Sequence, residues 1–274
     1  MAVNIEKKYQ KLTDTEHVLL RPGMYVGSIK PLTEEVFLPI KGKDQFQLTE
    51  VTYNPGFLKL FDEIISNSVD EHKRNPKLNK IKVNIDMSTG LISVWDNGGI
   101  PVEIHKEYDE WVPEMIFSNL KTGSNFDDTE DRIVVGTNGV GSTLTNIFSK
   151  EFNIQTCDGK KQFNQFFKDN MSRRSKPKIT KKKTKHTQIT YLTEFERFGL
   201  TGIDKNHYLM ITKRLIDIAA CNPSLKIFLN DKPISFRTFK DYASRYVTPI
   251  FYEQSEHWKI GIGHSTTGFK AISF

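Results

Sequence analysis

Residues 61–70 constrain the fold of this chain most, because their polar and apolar side chains separate onto opposite sides of a helix. One face of that helix would carry Phe61, Ile64, Ile65 and Val69, which can seal against a sheet. The opposite stripe carries Glu63, Asn67 and Asp70. We therefore predict a helix over residues 55–71, with a proline in its first turn. A carboxylate one turn from a carboxamide suits a water-activating base beside a metal ligand.

Composition is typical of an intracellular globular protein. At 274 residues the chain is long enough for one large domain, or for one domain and part of another. No run of about eighteen apolar residues occurs, and residues 1–10 are polar, without the apolar core of a secretory signal. We expect no membrane partner, and a location in the cytoplasm or nucleus, or in a host cell if the source is a virus.

The two cysteines argue against a disulfide framework and against a cysteine-ligated zinc site. Cys157 and Cys221 lie far apart and form neither a disulfide framework nor a C-x-x-C zinc motif. Any bound metal should therefore have oxygen ligands.

Positive charge is concentrated in one short stretch. It contains Arg173, Arg174, Lys176, Lys178, Lys181, Lys182, Lys183 and Lys185. Such a run could follow a phosphate backbone, but most lysine runs are solvated hairpins or loops. We favour the solvated hairpin over sequence-specific recognition, and a weak, salt-sensitive contact with DNA stays open.

The remaining segments predict helices mixed with strands that pair through short turns. Residues 81–86 and 91–95 alternate apolar and polar side chains around a turn, which predicts a hairpin. Further strands are predicted over residues 152–156, 163–168, 187–192 and 225–229, and further helices over residues 111–120, 204–220 and 239–246. Residues 30–54 are expected to be irregular. The predicted fold is an α+β two-layer sandwich, a mixed, largely antiparallel sheet covered by helices on one face.

A glycine turn ends the second strand of the predicted hairpin, where the sequence reads Asp96-Asn97-Gly98-Gly99-Ile100-Pro101. A carboxylate at a strand end can accept a hydrogen bond from the exocyclic amine of adenine. The glycines let the backbone approach a base closely. Taken alone, the motif is better interpreted as an ordinary Asp-Asn-Gly turn.

A second glycine segment, residues 136–143, leads into a predicted helix that ends near residue 148. Consecutive N–H groups at a helix N-terminus suit a polyphosphate. The segment lacks the Gly-Lys-Ser/Thr ending of a P-loop, and no parallel β-α-β unit surrounds it as in a dinucleotide-binding fold. Taken together, the helix and the two glycine segments indicate ATP.

These three segments, in this order, resemble the ATP-binding motifs of the GHKL superfamily, which comprises gyrase, heat-shock chaperone, histidine kinase and MutL ATPases. The resemblance is closest to type II DNA topoisomerases. It is carried by residues 9–11, 16–17, 21–28, 112–117, 122–128, 138–141 and 145–149. It covers essentially the whole chain and is weakest over residues 160–185.

The resemblance implies ATP and Mg²⁺ as cofactors and a role for each matched residue. Glu63 would be the general base that deprotonates the attacking water, Asn67 would hold Mg²⁺, and Asp96 would bind the adenine amine directly and through water. Thr187 would lie near the base. Ser124 and Asn125 would contact the ribose or the phosphates. The other expected ATP-binding residues are Gly99, Ile100, Gly123, Gly136, Thr137, Asn138, Gly139, Val140, Gly141, Ser142 and Thr143.

The resemblance also implies a domain plan. Residues 1–20 would form an N-terminal arm, residues 21–248 the ATPase domain, and residues 249–274 the start of a second α/β domain, the transducer. We expect a hairpin from residues 258–262 and 269–274, and a longer protein of which this chain is a fragment. The family's ATP-sensing lysine would then lie beyond residue 274. The family has one more residue, commonly basic, between the two glycines that follow Asp96, so a tighter turn is expected here.

The function implied is that of the ATPase region of a type II DNA topoisomerase. Two copies would dimerise on binding ATP and close a gate around a DNA duplex, and the arm with Tyr9 would reach the partner's nucleotide site. DNA cleavage would belong to another part of the polypeptide or to a separate subunit. The alternatives are a MutL-like ATP-gated DNA clamp, and a nucleotide-binding module that never hydrolyses ATP. Glu63 argues against the second alternative, because a pure binding module has no need of a base.

Overall fold

A computed structural model describes residues 9–123, 139–236, 238–248, 250–255, 258–265, 268–269 and 271–272. Its helices are α1 (Asp14–Leu20), α2 (Pro55–Arg74), α3 (Val112–Ser118), α4 (Gly141–Ile147), α5 (Lys205–Cys221) and α6 (Phe239–Ala243). Its strands are β1 (Leu32–Leu38), β2 (Gln47–Tyr53), β3 (Lys80–Asp86), β4 (Leu91–Asp96), β5 (Ile104–His105), β6 (Glu110–Trp111), β7 (Ser149–Cys157), β8 (Lys161–Lys168), β9 (Arg173–Arg174), β10 (Lys178–Lys181), β11 (His186–Thr193), β12 (Lys226–Leu229), β13 (Lys232–Ile234), β14 (Ile250–Gln254) and β15 (Lys259–Gly263).

The main sheet is mixed and largely antiparallel, as predicted. Its strand order is β10-β8-β7-β11-β4-β3-β12-β13, and β9 also pairs with β8. The pairing of β12 with β3 is parallel, and the other pairs of this sheet are antiparallel. The predicted hairpin of β3 and β4 therefore lies inside the sheet, between β11 and β12.

Helices cover one face of this sheet. Along β3, Ile81, Val83 and Ile85 are buried in one cluster with the apolar face of α2, and the intervening side chains are more exposed. This alternation is what a sheet covered on one side requires. The fold is thus the α+β two-layer arrangement that the sequence predicts.

Helix α2 positions the side chains of the candidate site. The Asn54 side chain caps its N-terminus by accepting a hydrogen bond from the backbone of Phe57 at 3.0 Å. The helix continues three residues past the predicted end at residue 71, to Arg74, and three basic residues in its last turn suit the negative end of the helix dipole. Asp70 is 2% exposed, so it does not share the exposed polar stripe that the helical spacing suggested.

Two segments differ from their predicted structure. Residues 30–54 were expected to be irregular, but they contain the β1–β2 hairpin. Strand β1 is mostly exposed, so it lacks the clear apolar alternation on which strand prediction depends. The hairpin near the end of the chain also differs, because β15 pairs with β14, which precedes it. Of the predicted second strand, residues 269, 271 and 272 are not in a strand, and residues 270, 273 and 274 lie outside the described residues. The division of the chain at residue 248 stays a prediction.

Among the residues described, no helix has the length and apolar character needed to cross a membrane.

Candidate functional site

Asp96 lies at the end of β4 and is almost fully buried. Ser68, on α2, donates a hydrogen bond from Oγ to Asp96 Oδ2 at 2.7 Å, and the backbone N–H of Gly98 donates to Oδ1 at 2.9 Å. Burial raises the pKa of Asp96 to about 6, although both hydrogen bonds act in the opposite direction. The side chain is therefore a fixed acceptor whose charge depends on pH in a range near neutrality.

A pair of threonines adjoins Asp96. Thr187 on β11 is the cross-strand partner of both Asp96 on β4 and Thr156 on β7. The Thr156 hydroxyl accepts a hydrogen bond from the backbone N–H of Ile100 at 3.0 Å and donates to the carbonyl of His186 at 3.1 Å. The two threonine hydroxyl oxygens are 3.0 Å apart. Because the Thr156 proton is already used, Thr187 donates in this pair and keeps its lone pairs for a bound amine or water.

The glycine turn after Asp96 packs closely against its neighbours, and at Gly99 the neighbour is backbone. A Cβ on Gly98 would lie 2.7 Å from Leu78 Cδ1, and a Cβ on Gly99 would lie 2.3 Å from the carbonyl oxygen of Cys157. The Asn97 side chain accepts hydrogen bonds from the backbone of Asn79 and Lys80 at 3.0 and 2.9 Å. The turn at Gly98 and Gly99, which is one residue shorter than in the family, is thus packed closely between neighbouring segments.

Glu63 lies on α2, between a lysine and a glycine. Its Oε1 is 2.6 Å from Lys59 Nζ, one turn earlier on the same helix. A Cβ on Gly141 would lie 1.7 Å from Glu63 Oε2. Glycine at position 141 is therefore what allows the carboxylate to lie against the first turn of α4, where backbone N–H groups have no acceptor within the helix.

Gly139 lies just before this turn and contacts another predicted binding segment. Its φ is +60°, and an added Cβ would lie 2.6 Å from the carbonyl oxygen of Thr122. The Thr122 N–H donates to the carbonyl of Gly139 at 3.0 Å. This contact holds residues 122 and 139 together, with the exposed Gly123 adjacent. The predicted binding residues Ser124, Asn125, Gly136, Thr137 and Asn138 lie outside the described residues.

Ser142 and Thr143 were predicted to contact the nucleotide, but the structure uses their hydroxyl groups elsewhere. Ser142 Oγ donates to the carbonyl of Ile116 at 3.1 Å, and Thr143 Oγ1 donates to the carbonyl of Asn119 at 3.0 Å. Both hydroxyls thereby join α4 to α3. Because both hydroxyl protons are donated to carbonyl groups, only the backbone N–H groups of Ser142 and Thr143 could donate to a phosphate. Val140, also a predicted binding residue, packs against the core.

Asn67 is exposed, one turn after Glu63 on α2. In the part of the chain that the structure describes, no group of three or more His, Cys, Asp or Glu residues could hold a metal ion. Mg²⁺ usually takes one or two protein ligands and completes its shell with water and phosphate oxygens. A single carboxamide oxygen therefore fits a Mg²⁺ that arrives with a nucleotide better than a permanently bound ion.

Ser68 and Thr156 are site residues that the sequence predictions missed. Ser68 follows Asn67 on α2 and bonds to Asp96, and Thr156 becomes visible only through the register of β7 with β11. Ser68 could have been predicted from the sequence, because a serine on the buried side of α2 needs a hydrogen-bond partner. Thr156 required the strand pairing.

Comparison with known proteins gives consistent matches, although no family model matches the chain. The ATPase region of Saccharomyces cerevisiae topoisomerase II is 35% identical with a TM-score of 0.90, covering 94% of this chain and 71% of that one. The ATPase and transducer domains of DNA topoisomerase II from Balamuthia mandrillaris are 38% identical with a TM-score of 0.91, covering 96% and 70%.

Curated sequences match over nearly the same span. DNA topoisomerase 2 of Arabidopsis thaliana is 39% identical over 98% of this chain. DNA topoisomerase 2 of Acanthamoeba polyphaga mimivirus is 41% identical over 96% of it. The chain spans 19% and 22% of the length of these two relatives.

The mixed sheet, the helices on one face and the placement of Asp96, Glu63 and the glycine segments define a GHKL-type α+β fold. The solved relatives then specify the branch, since each is matched over more than two thirds of its length at 35% identity or more. The chain belongs to the family of type II DNA topoisomerases and corresponds to their ATPase region.

Proposed function

We propose that this chain binds ATP with Mg²⁺ and hydrolyses it to ADP and phosphate. The observation that carries the proposal is that one helix, α2, contacts both ends of the site. Ser68 donates a hydrogen bond to Asp96, and five residues earlier on the helix Glu63 lies against Gly141 at the start of α4. A nucleotide between them would meet an acceptor for its base and a carboxylate beside its phosphates.

Each side chain has a distinct part in the proposed reaction. Asp96 accepts a hydrogen bond from the adenine amine, and Thr187 accepts from a water or amine beside it. Glu63 orients the attacking water and takes its proton. Asn67 would contribute an oxygen to Mg²⁺, and the ion would neutralise charge on the phosphates. The backbone N–H groups in the first turn of α4 have no acceptor within the helix and would be donors for the same phosphates.

The direct test is Mg²⁺-dependent ATP hydrolysis by the wild type and by Glu63→Gln, which keeps the size of the side chain. We expect hydrolysis to fall by about 10²- to 10⁴-fold, the range of general-base contributions, with ATP affinity changed by less than about threefold. Glu196→Gln is the matched control, because Glu196 is an exposed glutamate paired with Lys150 away from the site. Equal hydrolysis by Glu63→Gln and the wild type would remove Glu63 from the mechanism.

We further propose that ATP binding drives two copies together and closes a gate around a DNA duplex, within a protein that acts inside a cell. Membership in the topoisomerase family supports this proposal. The N-terminal arm, which includes the 70% exposed Tyr9, would reach the partner's nucleotide site. Sedimentation with a non-hydrolysable ATP analogue should show dimers, and deletion of residues 1–11 should weaken them. Unchanged dimerisation after the deletion would exclude this role of the arm.

A further inference from the structure

The lysine-rich stretch forms one edge of the main sheet, in strands β8, β9 and β10 and the loop after β10. Residues 158–186 contain eleven lysines and arginines against two aspartates, a net charge of +9 in a chain whose total is +6. The rest of the chain is therefore slightly acidic. The basic edge, as we name it, consists of the exposed residues Lys160, Lys161, Lys176, Lys178, Lys181, Lys182, Lys183 and Lys185.

Within the described residues the protein neutralises little of the charge of the basic edge, and Asp158 beside Lys160 is the nearby acidic group. Nearby, Lys168, Arg173 and Arg174 form ion pairs with Glu151, Asp169 and Glu114. None of the eight lysines of the basic edge has an ion-pair partner among the described residues. Lys181 is also the direct cross-strand partner of Lys161, and like charges in that position destabilise a sheet. An anionic partner would remove this repulsion.

The shape of the edge suits an extended anion. In the described part of the chain β10 is an outermost strand of the sheet, so its exposed lysines lie along a margin with no further described strand beside it. Gln162, Asn164, Lys178 and Thr180 line a groove of about 290 Å³ on the same strand pair. Carboxamide and hydroxyl groups beside lysines are the side chains that contact phosphate and sugar oxygens.

We propose that the basic edge binds the phosphate backbone of double-stranded DNA, without reading its sequence. The inference rests on the proposed function, in which a DNA duplex passes close to this domain. A duplex carries one negative charge per ~1.7 Å of its axis, while β10 and its loop place a lysine at most positions from residue 181 to 185. Single-stranded DNA is a poorer fit, because such sites use exposed aromatic rings for stacking, and the basic edge consists of lysines.

The test compares two triple variants of the 274-residue chain that have the same net charge. The first is Lys178→Gln, Lys181→Gln and Lys183→Gln in the basic edge. The control is Lys77→Gln, Lys226→Gln and Lys232→Gln, exposed lysines at or near the opposite edge, where β12 and β13 lie. Binding to a fluorescent duplex is measured by anisotropy without nucleotide, across a series of salt concentrations.

We expect the basic-edge variant to bind at least about tenfold more weakly near physiological salt, with a salt slope lower by about 2 to 3, since each lost phosphate contact lowers it by about 1. The control should stay within about twofold of the wild type. Equal losses in both variants would show that only net charge matters and would overturn the proposal. Stronger binding to polyglutamate through the same lysines would also overturn it, in favour of an acidic protein partner.

A single variant distinguishes DNA binding by the basic edge from a role of its lysines in stabilising the fold. Lys161→Gln removes the cross-strand repulsion with Lys181, so it should raise the Tm slightly, by about 1–2 °C, while it weakens DNA binding. A structural role would lower the Tm instead. ATP hydrolysis is measured on the same samples, and the basic-edge variants should match the wild type. Absence of hydrolysis in the wild type would contradict the proposed function but leave the DNA result interpretable.

Discussion

The two ends of the candidate nucleotide site differ in how they are built. At the base end, Asp96 and Thr156 are buried and are fixed by hydrogen bonds to Ser68, Gly98 and Ile100. At the phosphate end, Glu63 is partly exposed and paired with a lysine, and Asn67 is exposed. The base end lies within the sheet, whereas the phosphate end lies where two helices meet at a glycine.

This difference indicates what each end can do before a nucleotide binds. Strand register sets the positions of the base-end groups, so the acceptors that we propose for adenine are already in position in the free protein. At the phosphate end the carboxylate position depends on the close approach of Gly141. We therefore expect substitutions at the phosphate end to change hydrolysis and to leave recognition of the base largely intact.

The largest effect that separates the two ends should come from Gly141→Ala. The added Cβ would lie 1.7 Å from Glu63 Oε2, so either the carboxylate or the start of α4 must move by an ångström or more. A displacement of that size costs about 10²-fold in rate. We expect hydrolysis to fall by that factor, and the affinity for ADP, measured by calorimetry, to fall by less than about fivefold.

Gly202→Ala is the matched control for this substitution. An added Cβ at Gly202 has no atom within 4 Å among the described residues, so hydrolysis and binding should both stay at the wild-type level. An equal loss of ADP affinity and hydrolysis in Gly141→Ala would contradict the separation of the two ends.

A smaller effect should appear at the base end when the pH is lowered. Burial raises the pKa of Asp96 from 3.8 to about 6. Between these two pH values Asp96 is therefore largely protonated in the folded protein and largely ionised in the unfolded chain. The protonated carboxyl is a poorer acceptor for the adenine amine. If the ionised form alone binds, the affinity for ADP should fall about tenfold from pH 7 to pH 5.

Asp96→Asn provides the control for the pH series, because its carboxamide does not titrate. Its affinity for ADP should be lower than that of the wild type at pH 7 and should change much less towards pH 5. Titration of the ADP phosphates affects both proteins alike. Parallel pH profiles for the two proteins would show that Asp96 does not bind the base.

The sequence was informative where function depends on local pattern. Glu63 and Asn67 were noted from helical spacing and Asp96 from its position at a strand end, while their roles came from the family resemblance. The structure places Glu63 and Asn67 on one helix with Asp96 beside it. Thr156 was missed, because it joins the site through the register of β7 with β11. Register depends on long-range pairing and on the turns that precede it.

Side-chain direction was also beyond the sequence. Ser142 and Thr143 occupy a glycine-rich segment that suits phosphate, yet their hydroxyls donate to carbonyls near the end of α3. Which way a short polar side chain turns at a helix start depends on the acceptors that packing brings near it. The exposed β1–β2 hairpin was missed for a related reason, since it buries few side chains that could mark it as paired strands.

The smallest effect tests how firmly Glu63 is held. Lys59→Met removes the ion pair at 2.6 Å between Lys59 Nζ and Glu63 Oε1, in which the lysine is 45% exposed. An exposed pair of this kind contributes less than about 0.5 kcal/mol to the free energy of unfolding, which urea unfolding would measure. We expect hydrolysis to fall by about three- to tenfold, since the carboxylate loses one fixed contact.

Lys150→Met should change stability as little, because it breaks the exposed pair with Glu196, but it should leave hydrolysis unchanged. A wild-type rate in Lys59→Met would mean that the contact with Gly141 alone positions Glu63. The phosphate end would then be as firmly preset as the base end, and the difference between them would lie only in the exposed Asn67 and the Mg²⁺ that we propose it binds. A reduced rate would instead mean that Lys59 belongs to the hydrolytic end of the site, although it contributes almost nothing to the stability of the fold.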